Sequence, residues 1–112
     1  MAASNETKHK ETFDQLKDLK PSRNGNYLGE KGEKFYIAVS PEEIYELSPL
    51  AYYVWLLCDG EHTVAEIAER MSKDLSMPLE EIIEPLIIAL DGLSNVNLVI
   101  MAPKKEEEGS QQ

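Results

Sequence analysis

Few side chains in this 112-residue chain are of the types that carry out covalent or metal chemistry. There is a single cysteine, Cys58, and there are two histidines, His9 and His62. Cys58 has neither a second cysteine for an internal disulfide nor a histidine at metal-ligand spacing, so we expect it in an apolar core. Neither histidine has sequence neighbours that would make it a base or a ligand. We therefore expect no enzymatic activity, no metal and no cofactor.

Negative charge is the most informative feature of the composition. The chain carries 21 acidic and 11 basic residues and a net charge of −10. Between Phe35 and Ala102 there are 12 acidic residues and two basic ones, Arg70 and Lys73, so the whole imbalance lies in this span. A surface that binds phosphate groups needs clustered Lys or Arg. We therefore expect neither nucleic acid nor an anionic membrane as a partner.

The elements that would position a site lie between two polar ends. Residues 1–22 are expected to form a disordered N-terminal tail and residues 103–112 a disordered acidic C-terminal tail, around a domain at 23–102. An alternative for 12–19 is a transient or docked helix, because its apolar residues recur at helical spacing. The chain has no run of 18 apolar residues and no apolar block near its N-terminus. This predicts a soluble, cytoplasmic protein.

Strand patterns occupy the first part of the expected domain. Short strands are expected near Tyr27, over residues 34–39 and over residues 43–47, separated by turns at 30–33 and at Ser40-Pro41. The segment 43–47 alternates polar and apolar side chains, which is typical of a strand with one buried face. The sequence therefore predicts an antiparallel sheet of two or three strands.

Three helices and a closing apolar stretch follow the strands. Ser48-Pro49 opens a helix over 49–58, a capping box at 63–66 opens the second, and the third covers 78–94. Pro85 is expected to kink the third helix or delay its start. The expected core positions are Leu50, Val54, Leu57, Cys58, Val64, Ile67, Ala68, Met71, Leu75, Leu79, Ile82, Leu86, Ala89, Leu90 and Leu93. Residues 96–101 are expected to form a last short strand or an extended segment packed on the core. This order predicts an α+β, winged-helix-like domain: an antiparallel sheet followed by a three-helix bundle.

One segment carries a family resemblance. The apolar helix that ends in Cys58-Asp59-Gly60, followed by Thr63-Val64-Ala65-Glu66-Ile67, resembles the hallmark of the PqqD-like family, named after pyrroloquinoline quinone biosynthesis protein D. Asn97 stands where that family usually has a glycine. The resemblance implies a domain that recognises precursor peptides. Such a domain is a peptide chaperone that binds the leader of a ribosomally made peptide as an added strand and presents it to a modifying enzyme, often a radical S-adenosylmethionine (SAM) enzyme.

The resemblance also implies a groove between the third strand and the third helix. In this sequence, the strand would supply an open edge. The helix would supply two isoleucines beside its core face, flanked by acidic residues. The residues predicted to bind peptide are Glu43, Ile44, Tyr45, Glu46, Leu47, Glu80, Ile83, Glu84, Ile87 and Asp91. We expect the ligand to carry basic and apolar side chains. Alternatives are an ordinary edge guarded by two glutamates and a solvated acidic helix face.

Two other functions are compatible with this architecture. A winged-helix DNA-binding regulator would need a basic recognition helix, yet residues 78–94 contain four acidic residues and no Lys or Arg. An assembly or regulatory subunit would bind a folded enzyme without any leader peptide. Both remain alternatives to the peptide adaptor.

Overall fold

The computed structural model describes residues 4–102, with side chains from His9 to Met101. These residues form four helices and five strands. In chain order the elements are α1 (Ser4–Leu16), β1 (Lys20–Arg23), β2 (Asn26–Lys31), β3 (Lys34–Ser40), β4 (Glu43–Leu47), α2 (Pro49–Leu57), α3 (Val64–Leu75), α4 (Leu79–Asn95) and β5 (Val99–Ala102). The fold is α+β, with a sheet followed by a three-helix bundle, as the sequence predicts.

The main sheet has the antiparallel order β2-β3-β4, so the three-stranded alternative is confirmed. Phe35 lies opposite Leu47 and Ile37 lies opposite Tyr45, which places these four side chains on one face. That face packs against the helices: Ile37 is fully buried and the Phe35 ring stacks on Tyr52 of α2, with centroids 4.2 Å apart. The aromatic helix α2 therefore covers the inner face of the sheet.

The capping signals define the starts of two helices. Ser48 Oγ accepts a hydrogen bond from the Ala51 N–H at 3.2 Å. At the start of α3, Thr63 and Glu66 each bond the backbone N–H of the other, which is the predicted capping box. Helix α4 begins at Leu79 and continues through Pro85, so of the two effects expected from Pro85 the late start is wrong.

Most of the expected core positions are buried, Leu57 and Ala89 are half-buried, and the three exposed positions lie at helix ends. Leu50, the second residue of α2, is 39% exposed. Leu75 ends α3 and Leu79 begins α4, and they are 43% and 41% exposed. A terminal position lacks neighbours on one side, so helical spacing alone does not bury it. Asn97 has a φ of 65°, a left-handed conformation that glycine also adopts readily.

The segment before residue 23 differs most from the expectation. We predicted mostly disorder, whereas α1 packs on α3 and α4, Phe13 is buried, and β1 pairs antiparallel with β5. The carbonyls of Lys17 and Leu19 accept hydrogen bonds from the first N–H groups of α3. The prediction of disorder rested on the polar composition of this segment. Backbone hydrogen bonds do not depend on side-chain type, so composition did not reveal those that hold residues 17–23. The proposed domain start at residue 23 stays a prediction, and residues 103–112 lie outside the described chain.

Candidate functional site

Strand β4 forms one edge of the three-stranded sheet. It pairs with β3 on one side, and no other strand within residues 4–102 pairs with its opposite side. Ile44 is 53% exposed on the outer face, while Leu47 is buried on the inner face. Backbone N–H and C=O groups along the free side are therefore open to an added strand.

The two edges of the sheet are not equivalent. Along β2 the pairing with β3 shifts between Tyr27 and Gly29, and Gly29 has a φ of 140°. Such a bulge bends an edge and interrupts a regular ladder. Along β4, by contrast, pairing is regular from Ile44 to Leu47. An incoming strand therefore meets the more regular partner at β4.

Acidic side chains flank the β4 edge. Glu46 reaches Lys34 on β3 with an Oε2–Nζ distance of 3.2 Å, and both side chains are about half exposed. Exposed ion pairs of this kind contribute little to stability. Glu43 is also exposed. These glutamates discourage edge pairing with acidic chains and favour basic ones.

The predicted helix wall has a different environment. Glu80, Glu84 and Asp91 are exposed and Ile83 is half-buried, but Ile87 is only 5% exposed. The expectation that Ile87 widens an accessible shoulder is therefore wrong in this state. Its neighbour α1, expected to be disordered, lies against this side of α4.

An open cleft of about 630 Å³ lies along the line where α1 meets α4 and β5. The lining residues are His9, Thr12 and Leu16 from α1, Ile87, Ile88, Leu90, Asp91 and Ser94 from α4, and Met101 from β5. His9 Nδ1 lies 3.8 Å from Glu84 Oε2. Sequence reasoning missed the α1 residues as part of a site. Their only signal was the spacing of Phe13 and Leu16, which did not identify a partner surface.

The structure therefore divides the predicted site between two places. β4 packs mainly on β3 and α2, whereas α4 packs mainly on α1, α2, α3 and β5. Glu84, Ile87 and Asp91 belong to the α1 side of α4. Glu80 and Ile83, one turn before Glu84 and Ile87, continue the same face of α4, where Glu80 is exposed and Ile83 is half-buried.

The Cys58-Asp59-Gly60 loop has a structural role. Cys58 is fully buried, its Sγ donates to the Val54 carbonyl at 3.2 Å, and burial raises the pKa of its thiol to about 12. Burial also acts to raise the pKa of Asp59, but hydrogen bonds from the Glu61 and His62 N–H groups and from the His62 ring outweigh it and lower that pKa. Neither group has the form of an activated nucleophile or base.

Gly60 makes close contact between this loop and β1 possible. Its φ is 79°, and a Cβ at this position would lie 2.6 Å from Ser22 Oγ. Its N–H donates to the Pro21 carbonyl at 2.8 Å. The loop and β5 together form a slot that β1 fills.

Among the side chains described, from His9 to Met101, no three His, Cys, Asp or Glu are grouped so that they could hold a metal ion. None of the helices in that part of the chain combines the length and apolar character that crossing a membrane requires.

The sheet with its open β4 edge and the three helices behind it define an α+β, winged-helix-like domain. Residues 36–99 match the family model described as coenzyme PQQ synthesis protein D (PqqD), which is more than half of the chain. The chain therefore belongs to the PqqD family, which is an accessory rather than a catalytic family. No curated protein and no solved structure matches it significantly. Elements α1, β1 and β2 lie outside the matched residues.

Proposed function

We propose that this protein is a peptide chaperone that binds the leader of a ribosomally made precursor peptide and presents it to a modifying enzyme, such as a radical SAM enzyme. The leader binds as a fourth strand on β4. The observation that carries the proposal is the regular, unpaired β4 edge in a domain of the PqqD family. The protein itself performs no chemistry on the peptide.

Strand addition assigns separate roles to the backbone and side chains of β4. Main-chain hydrogen bonds supply affinity that is independent of sequence. Side chains of the added strand alternate between the two faces of the sheet. On the outer face they meet Ile44, and on the inner face they approach Tyr45 and Leu47. On the α4 wall, Glu80 is exposed and Ile83 is half-buried.

Charge selects a basic ligand. The protein has a net charge of −10, and Glu43 and Glu46 are exposed on β4 itself. Such a potential accelerates association with a cationic peptide and repels an acidic one. Binding is therefore expected to weaken as salt concentration rises.

The test is an amide chemical-shift titration with short peptides encoded next to this gene. We expect shifts along β4 and around Ile83. Ile44→Lys is expected to raise the dissociation constant about tenfold, which corresponds to roughly 1.4 kcal/mol. Leu28→Lys on β2 is the matched control, because Leu28 is 54% exposed and Ile44 is 53% exposed on the same sheet. Equal losses for both variants, or shifts confined to β2, would refute strand addition at β4.

The two alternatives have less support. Helix α4, in the recognition position of a winged helix, carries Glu80, Glu81, Glu84 and Asp91 and no Lys or Arg. Its charge opposes a DNA backbone, and a duplex titration at low salt tests this directly. An assembly subunit would bind the folded enzyme equally well with and without the leader peptide. Pull-down of the enzyme in the presence and absence of the peptide therefore distinguishes an assembly subunit from a peptide adaptor.

A further inference from the structure

Helix α1 lies against α4, and its described side chains from His9 to Leu16 show how it is seated. Phe13 is buried and Leu16 is half-buried, while His9 and Thr12 face the cleft. The intervening residues Lys10, Glu11, Asp14 and Gln15 are exposed. A 13-residue helix is marginal in water by itself, so the order of α1 depends on its packing against α3 and α4.

The fit of α1 in this groove is incomplete. His9 Nδ1 is buried and finds no hydrogen-bond partner among the described residues, although Glu84 Oε2 is 3.8 Å away. An unpaired buried polar atom is unfavourable. A lysine or arginine at this place would form a charge-assisted hydrogen bond with the carboxylate. Ile88, which is 54% exposed, lines the open cleft.

The chain immediately after α1 is held much more firmly. The Lys17 and Leu19 carbonyls accept hydrogen bonds from Ala65 and Val64, at 3.1 and 2.9 Å. Strand β1 then pairs with β5 over four residue pairs. These bonds do not involve α1, so they would remain if α1 left its groove.

We propose that the α4 groove now filled by α1 is a docking surface for a basic, amphipathic helix of a partner protein, which binds by displacing α1. The seated helix shows the shape that fits: His9, Phe13 and Leu16 recur at i, i+4 and i+7. The groove wall supplies Glu84 and Asp91, which favour a cation where α1 has His9. This surface is separate from β4, so an adaptor could hold a leader and a helical segment together.

The test uses full-length protein and synthetic peptides of residues 4–16. The probe is the His9→Lys form of the peptide, and the control is its His9→Glu form. The protein variants are Leu16→Glu, which releases the tethered α1, and Gln15→Glu, which places the same charge on the exposed face of α1. Affinity and site are read from amide shifts.

We expect the His9→Lys peptide to bind the Leu16→Glu protein at least about tenfold more tightly than the wild-type or Gln15→Glu protein. The reason is that the tethered α1 competes at high effective concentration. Shifts should centre on Glu84 to Asp91, and the His9→Glu peptide should bind more weakly. Equal affinity for all three proteins, no binding to Leu16→Glu, or shifts elsewhere would overturn the proposal.

Hydrogen exchange of the wild-type protein provides a second test that does not require the variant to fold. Amides of α1 should exchange at least about 100-fold faster than those of β1, and saturating His9→Lys peptide should accelerate them further. Equal protection of α1 and β1 would overturn displacement. The docking inference can fail while the proposed function stands. Binding of leader peptide at β4 without binding of this helix at α4 would be that result.

Discussion

Two neighbouring elements, α1 and β1, lie outside the residues that match the PqqD family and are held in different ways. Strand β1 is bonded on both sides: it pairs with β5, and the Arg23 N–H donates to the Cys58 carbonyl at 2.7 Å. Helix α1 makes side-chain contacts with α3 and α4. Strand β1 is therefore held by backbone hydrogen bonds together with the buried Pro21, whereas the described side chains that hold α1 include the apolar Phe13 and Leu16.

The two elements therefore contribute differently to the stability of the domain. Removing β1 would leave unpaired backbone groups on β5, on the 58–60 loop and at the start of α3, all at once. Removing α1 would mainly expose Ile87 and part of the core around Phe13. We infer that β1 is part of the folded unit and that α1 is a replaceable cover.

The largest expected loss of stability comes from a substitution at Ile87, the α4 residue that lies beneath α1. Ile87→Glu should lower the free energy of unfolding by about 3 kcal/mol, because it removes an isoleucine that packs in the core cluster, a loss that detachment of α1 cannot relieve. Urea denaturation measures this loss. Ile88→Glu, one residue further and 54% exposed, is the control and should cost no more than about 0.5 kcal/mol. Similar small losses for both would show that Ile87 does not pack in the core in solution.

The next largest loss of stability is expected at Gly60, in the loop that contacts β1. Gly60→Ala should cost about 2 kcal/mol, since the φ of 79° is unfavourable for alanine and the added Cβ would meet Ser22 Oγ. Gly92→Ala in α4 is the matched control. Nothing lies within 4 Å of a Cβ at Gly92, so that change should stabilise the helix by up to roughly 1 kcal/mol.

A double substitution sharpens the β1 test. Ser22→Ala removes Oγ and leaves a Cβ at 3.7 Å, an ordinary contact distance. Combined with Gly60→Ala, it should recover the part of the loss caused by the clash and leave the part caused by backbone strain. Strict additivity of the two changes would mean that β1 does not lie against Gly60.

The sequence predicted those parts of the structure that local signals determine. Ser48 and the Thr63–Glu66 capping box mark helix starts because they bond groups three residues away. The alternation over residues 43–47 predicted an edge strand with one buried face, since side-chain direction follows directly from the strand period. The main sheet and the three helices behind it followed from such signals.

The missed features depend on partners from distant parts of the chain. Strand β1, with the sequence Lys-Pro-Ser-Arg, has no apolar alternation, and its partner β5 lies at the other end of the domain. The environment of Ile87 was wrongly predicted for the same reason. Helical spacing placed it beside the core face, but α1 decides whether that side meets water.

Phe13→Ala tests how strongly α1 is attached to the rest of the domain. Truncating a well-buried phenylalanine commonly costs about 3–5 kcal/mol. Here we expect only about 1.5 kcal/mol, because once α1 detaches no further loss can arise from its contacts. Leu90→Ala, in the middle of α4 and 2% exposed, should cost the full amount of roughly 3 kcal/mol in the same denaturation experiment. Comparable losses for both would show that α1 unfolds with the core and is not a replaceable cover.

The smallest effect concerns the side chain at the end of β1. Arg23 Nη1 donates to the Leu56 carbonyl at 2.7 Å, and its guanidinium lies 5.7 Å from the centre of the Trp55 ring. Arg23→Ala should therefore cost about 1 kcal/mol and change the fluorescence of the single tryptophan. Arg23→Lys should keep the charge but lose the forked geometry, and so recover only part of this stability. If Arg23→Ala cost as much as Phe13→Ala, side chains would hold β1 as they hold α1. A loss within error of zero would show that the Arg23 side chain does not hold β1, and would leave the backbone hydrogen bonds and the buried Pro21 ring as its attachments.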